Sequence, residues 1–436
     1  MENAAGLGHE EQAFPMTRGP GRGARAAGSP GAALGVLGSL YFIFGFITCL
    51  NDILVPHLKG VFRLNYTQAM FIQLSFFSAY FLVSLPSGWL VDRLGYQRGM
   101  VCGLGAMACG CLLFLPAADA RSYPMFLLAL FLLAAGVTLL QVAANPYVAI
   151  LGRPETSSSR LTLTQGFNSL GTTLAPLFGS ALILARGPGA AEAAAVRLPY
   201  LILAAVLAGL ALFTALFRFP QGRPARQPDF RAAPGPEAGA GTRASGARDR
   251  PWRHPPLVLG AVGIFLYVGV EVGLASIAVN YFATQGMSTA KTASFLVSLY
   301  WGGALVGRLL GAGILTKVKS GKLLGIFGFT AAALIAISMF TSGEVAIGTL
   351  VLCGFFNSIM FPNIFTLGIA GLGPMTSKGS GLIMTAVVGG AVVPYLLGAL
   401  ADKVGIQHAF VLPVICYLYI AYYGLWGSKP TRTITA

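Results

Sequence analysis

The chain has 436 residues, of which 55% are hydrophobic and 10% charged, with a formal net charge of +15. A soluble domain carries about 25% charged residues to cover its surface, so this composition excludes an ordinary soluble enzyme. The basic excess lies in short segments between apolar runs rather than on one face of a folded domain, which points to membrane orientation and not to nucleic acid.

Residues 1–30 are Gly, Ala, Pro and Arg without the apolar core of a signal peptide, and read as a disordered cytoplasmic tail. Apolar runs follow near 33–56, 67–91, 98–116, 123–151, 160–185 and 198–217. Each is roughly the 20 residues that an α-helix needs to cross about 30 Å of hydrocarbon. Lipid offers no partners to backbone amides, so each run must satisfy its own hydrogen bonds as a helix. A stretch from Arg218 to His254, rich in Pro, Gly, Ala and Arg, has the composition of a linker. A second set of runs lies near 255–283, 290–316, 322–341, 345–371, 377–400 and 405–427. The predicted fold class is therefore an all-α membrane protein with twelve transmembrane helices. Two six-helix bundles, 31–217 and 255–428, are joined by a cytoplasmic linker, 218–254, and followed by a cytoplasmic tail, 429–436. The 57 glycines fit helix-packing surfaces.

Lys and Arg in short loops set the orientation. With both termini inside, 21 basic residues lie on the inner side and 7 on the outer, with Arg308 left within a span. Without the eight arginines of the linker the ratio is still 13 to 7. The expected location is the inner membrane, multi-pass. The six cysteines fall in apolar spans without CxxC spacing, and the four histidines lie in the tail or at span ends. No metal site, cofactor or catalytic constellation is expected.

Between the second and third spans, Gly88-Trp89-Leu90-Val91-Asp92-Arg93-Leu94-Gly95-Tyr96-Gln97-Arg98 resembles the G-x-x-x-D-R-x-G-x-x-R loop of the major facilitator superfamily. Asp92, Arg93 and Arg98 at helix ends can latch neighbouring helices in pairs that break when the halves rock. A weaker echo, Gly311 to Lys322, occupies the corresponding loop of the second half.

Four further segments narrow the resemblance: Gly45 to Asp52, Gln141 to Tyr147, Arg160 to Ser169, and Phe361 to Phe365. Across nearly the whole chain, apart from tail and linker, the sequence is similar to the fucose permease family, particularly its glucose/galactose transporter branch. The resemblance implies a twelve-helix major facilitator fold, alternating access, and uptake of a hexose driven by a sodium or proton gradient, in a functional monomer. Fucose, N-acetylglucosamine and uncoupled facilitation are the alternatives.

Asp52 is one of two acids within the spans, where an ionised carboxylate costs several kcal/mol unless paired or hydrated. It is the expected cation-coupling residue, and the matching aspartate of the family is functional. The fucose permease pattern has a glutamate in the fourth span where this chain has Gln141. A neutral amide cannot exchange a proton, which tilts the expectation toward sodium. Gln141, Gln165, Asn145 and Asn168 are expected to hydrogen-bond sugar hydroxyls. Glu271, the second buried acid, can contact sugar, complete a cation site or pair with Arg308 one helix later. Asn280, Asn357 and Asn363 are the expected cavity liners of the second half.

Overall fold

The computed structural model describes residues 29–61, 66–179, 197–220, 251–286 and 290–429; within its helices, side chains 50–61, 66–70, 176–179, 290–291 and 294 are excepted. The described residues are almost entirely helical, and no strand occurs among them. They form twelve rods. The first six are α1 (Pro30–Val61), α2 (Tyr66–Leu94), α3 (Tyr96–Asp119), α4 (Tyr123–Ile150), α5 (Ser157–Gly179) and α6 (Arg197–Leu216). The second six are α7 (Pro255–Thr284), α8 (Ala290–Ile314), α9 (Ser320–Phe340), α10 (Gly343–Ile369), α11 (Gly373–Val404) and α12 (Ile406–Gly427).

Prolines and glycines set several boundaries. Pro124 stands in the first turn of α4 and Pro255 and Pro256 in that of α7, where the missing N–H has no intrahelical partner to lose. Gly95 at φ 83° turns α2 into α3, and Gly405 at φ 84° turns α11 into α12, in the left-handed region that Gly enters without strain.

Eleven of the rods are long and apolar enough to cross a membrane; α5 is the exception. Its Thr162, Thr164, Gln165, Asn168 and Ser169 are all buried, so its polarity faces protein rather than lipid. Three expected spans are not continuous helices. α12 breaks at Phe410. α10 is interrupted between Asn357 and Met360, and α11 passes through a 3-10 turn at Ala386–Val388.

Helices α1 and α5 pack together in the first bundle, as do α2 and α4; the corresponding pairs in the second are α7 with α11 and α8 with α10. Small residues let these backbones approach closely. A Cβ on Gly45 would lie 2.2 Å from the Asn168 carbonyl oxygen, and one on Gly389 would lie 2.0 Å from that of Phe265. The outer surface is apolar, with Trp89, Leu216, Phe329, Phe340 and Tyr395 all exposed, as lipid rather than water requires.

Candidate functional site

In the first bundle, Gln141 and Asn145 stand one turn apart on α4, which puts them on the same face. Both are buried. The Gln141 amide donates to the Tyr80 hydroxyl on α2 at 2.6 Å. It also lines a small open recess formed by Leu40, Tyr41 and Phe44 of α1 with Leu140, Gln141 and Ala144 of α4. Tyr41 donates its hydroxyl to the Asn145 carbonyl oxygen, and its own backbone carbonyl accepts from the Asn168 amide at 3.3 Å. Tyr41 thus joins α1, α4 and α5 directly beneath the recess wall. Gln165 is buried on α5, and its backbone carbonyl accepts from the Ser169 hydroxyl at 3.2 Å. Phe76 and Phe77 pack against Tyr80 with ring centroids 5.7 and 6.5 Å away. Asp52 lies on α1, and its side chain is outside the described residues.

The second bundle contributes an ion pair and a closed polar knot. Glu271 on α7 stands 3.7 Å from Arg308 on α8, with both side chains largely buried. Arg308 also donates to the Ser358 carbonyl at 3.4 Å and to the Ser169 hydroxyl of α5 in the first bundle. Asn357 donates to the Tyr300 hydroxyl at 2.6 Å and accepts from Tyr417 at 2.8 Å, while its backbone carbonyl accepts from Tyr267 at 3.1 Å. These bonds hold the break in α10 together and engage the Asn357 amide within its own bundle. Asn280 is exposed on α7. Asn363 is fully buried on α10, and neither of its amide atoms has a hydrogen-bond partner among the described residues.

Contacts between the bundles gather toward one end of the helices. Lys378 at the start of α11 reaches Asp92 at the end of α2 at 3.1 Å. One turn further in, a Cβ on Gly381 would lie 2.7 Å from the Ser84 carbonyl oxygen and 3.2 Å from the Gly88 Cα. Ser380 donates to the Val142 carbonyl at 3.0 Å, and the Asn145 amide touches the Met384 sulfur at 3.6 Å. On the other side of the seam, Ser159 donates to the Ala312 carbonyl and Ser158 shares a hydrogen bond with Thr366, both at 2.6 Å. Among the described residues, the contacts reaching furthest from this end are Arg308 to Ser169 and Phe77 against Gly390, near mid-helix. The bundles are therefore closed at the Asp92 end.

The sequence model described as Major Facilitator Superfamily matches residues 37–387, most of the chain. The chain belongs to this superfamily. Its similarity to a glucose/galactose transporter of Brucella abortus biovar 1 (strain 9-941) is 52% identity over 405 residues, covering 92% of this chain and 95% of the relative. The crystal structure of an E. coli fucose:proton symporter variant superposes with TM-score 0.81 at 30% identity, covering 92% of this chain and all of the other. A second structure, FucP in the outward conformation, superposes with TM-score 0.79 at 32% identity, covering 91% and 99%. The resemblance to the fucose permease family and its glucose/galactose branch, read from four sequence segments, agrees with these relatives.

In this facilitator, Asp92, Arg93 and Arg98 take different parts. Asp92 crosses to the other bundle, whereas Arg93 and Arg98 are exposed and make no ion pair among the described residues. Gln97 of the same loop donates to the carbonyls of Thr214 and Phe217, both at 2.9 Å, and so caps the end of α6. Arg160 similarly donates to Val148 and Ala149, the last carbonyls of α4, at 3.1 and 2.6 Å. Sequence reasoning counted Lys378 only as an inner-side charge and passed over Tyr41, Ser159 and Ser169. Their partners come from other helices, so no local pattern marks them.

Proposed function

We propose that this protein is a secondary active transporter that imports a hexose of the glucose/galactose type by cation symport and alternating access. The observation that carries the transport reading is the one-ended closure: two bundles meet tightly around Asp92, while the polar faces of α4 and α5 lie further along the seam. A bundle pair closed at one end presents its central side chains to the other, and rocking about that centre exchanges the exposed side. The substrate class follows the glucose/galactose transporter at 52% identity, and the coupling follows the fucose:proton symporter.

In this reading Gln141, Asn145, Gln165 and Asn168 face sugar from the first bundle, and Glu271, Asn280, Asn357 and Asn363 belong to the second half of the pathway. Asp52 binds the coupling ion. Gln141 cannot carry a proton, so a single carboxylate with amide and carbonyl oxygens serves the first bundle, a donor set that suits sodium. The Asp92 end faces the cytoplasm, as the excess of basic residues there supports, with both termini on that side of the inner membrane. No cofactor or catalytic step is required, and one chain suffices as the working unit.

Uptake of radiolabelled glucose, galactose, fucose and N-acetylglucosamine into proteoliposomes tests the substrate assignment. Glucose and galactose are expected to enter and to compete with each other. Uptake of fucose or N-acetylglucosamine alone would replace the assignment, and uptake of none would refute it.

A further inference from the structure

Two turns at opposite ends of the helices share one six-residue pattern, identical at its Asp, Gly and Gln. Asp92-Arg93-Leu94-Gly95-Tyr96-Gln97 joins α2 to α3, and Asp402-Lys403-Val404-Gly405-Ile406-Gln407 joins α11 to α12. The backbones match. Gly95 has φ 83° and ψ 163°, Gly405 φ 84° and ψ 152°. Each glycine N–H bonds to the residue four before it, at 2.8 and 2.9 Å, and each glycine carbonyl accepts from the residue four after it, at 3.0 Å. The glutamines match as well. Gln97 caps the end of α6 through the carbonyls of Thr214 and Phe217, and Gln407 caps the end of α9 through those of Ser338 at 3.2 Å and Thr341 at 2.5 Å.

The two aspartates differ in one respect. Asp92 is engaged across the bundle interface by Lys378, whereas Asp402 is exposed and makes no ion pair or hydrogen bond among the described residues. Helices α2 and α11 run antiparallel along that interface, with Gly88 against Gly381 and Phe77 near Gly390. Continuing this register brings the Asp402 end of α11 toward the Tyr66 end of α2. The arrangement is inverted: the end of α2 meets the start of α11 at one face, and the end of α11 heads for the start of α2 at the other.

We propose that the Asp402 turn is the second gate, docking on the first turn of α2 when the bundles rock to close the end opposite Asp92. Asp92 and Asp402 then work in alternation, each stabilising the state in which its own end is shut. The inference rests on the alternating-access reading, but its distance readout needs no sugar.

The test places spin labels at Ala120 and Ser342, exposed turn positions of the two bundles at the end opposite Asp92, and records their distance distribution in the full chain. Asp402→Asn is expected to raise the ratio of long to short distances about threefold, the size of one carboxylate's interaction with a helix N-terminus. Asp92→Asn is expected to lower that ratio by a similar factor, and Asp402→Glu to preserve the wild-type distribution. An unchanged distribution in Asp402→Asn, whether or not Asp92→Asn shifts it, would overturn the proposal. Shifts of the expected signs in a protein that transports none of the four sugars would uphold the gate and refute the sugar reading.

Discussion

Gln141 shows how a single amide can be both anchored and available. One of its two N–H groups is spent on Tyr80, which leaves the second N–H and the carbonyl oxygen for a hydroxyl-bearing ligand. Gln141→Ala is expected to raise the KM for sugar roughly tenfold with little change in maximal rate, the loss of one or two neutral hydrogen bonds. A KM within twofold of wild type in a concentration series of uptake would remove Gln141 from the sugar site. Glu271 and Arg308 form a different kind of unit, since each is buried and needs the other. Arg308→Met would strand the Glu271 charge at a cost of about 3–5 kcal/mol, read as loss of monodisperse protein in detergent. Adding Glu271→Met should restore the fold. A stable single variant would show that the pair is not what neutralises Glu271. These polar residues were legible in the sequence because a polar side chain in an apolar span is expensive. Tyr41, Ser169 and Lys378 were not, because their significance depends on which helices become neighbours.

At the scale of the helix, close approach decides what is tolerated. The Phe265 carbonyl oxygen lies where a Gly389 side chain would begin, and it belongs to backbone that cannot swing aside. Gly389→Val is therefore expected to destabilise the second bundle by about 1–3 kcal/mol or more and lower its thermal unfolding temperature. Unchanged unfolding would show that α7 and α11 can separate at no cost. Span positions were legible from hydropathy, as the rods fall on the twelve predicted runs. The break after Asn357 was not, since it is held by tyrosines from α7, α8 and α12. Nor did hydropathy reveal how polar the α5 seam is. The side-chain polar atoms of Thr162, Ser358 and Asn363 are buried there or nearby without hydrogen-bond partners among the described residues, at a cost of about 1–3 kcal/mol each. Unsatisfied groups of this kind offset the gain from closure and keep the bundles separable.

For the whole molecule, the energetic question is what makes two compact bundles alternate instead of resting in one arrangement. Closure around Asp92 combines one partly exposed ion pair, worth no more than about 1 kcal/mol, with hydroxyl-to-carbonyl bonds and glycine contacts that are individually weak. A difference of this size is within reach of a bound ion and sugar, which can shift the equilibrium only by their unequal affinity for the two states. The bundle count was legible from the linker composition. Which end is closed was not, because both states use the same sequence. The most direct measurement of the central claim is sugar accumulation in proteoliposomes under an imposed sodium gradient, an imposed proton gradient, or neither, for the wild type and Asp52→Asn. The account predicts accumulation against concentration under the sodium gradient, with Asp52→Asn losing accumulation while sugar exchange persists. Accumulation that ignores sodium and follows the proton gradient would overturn the choice of ion. Simple equilibration under every gradient would contradict symport itself.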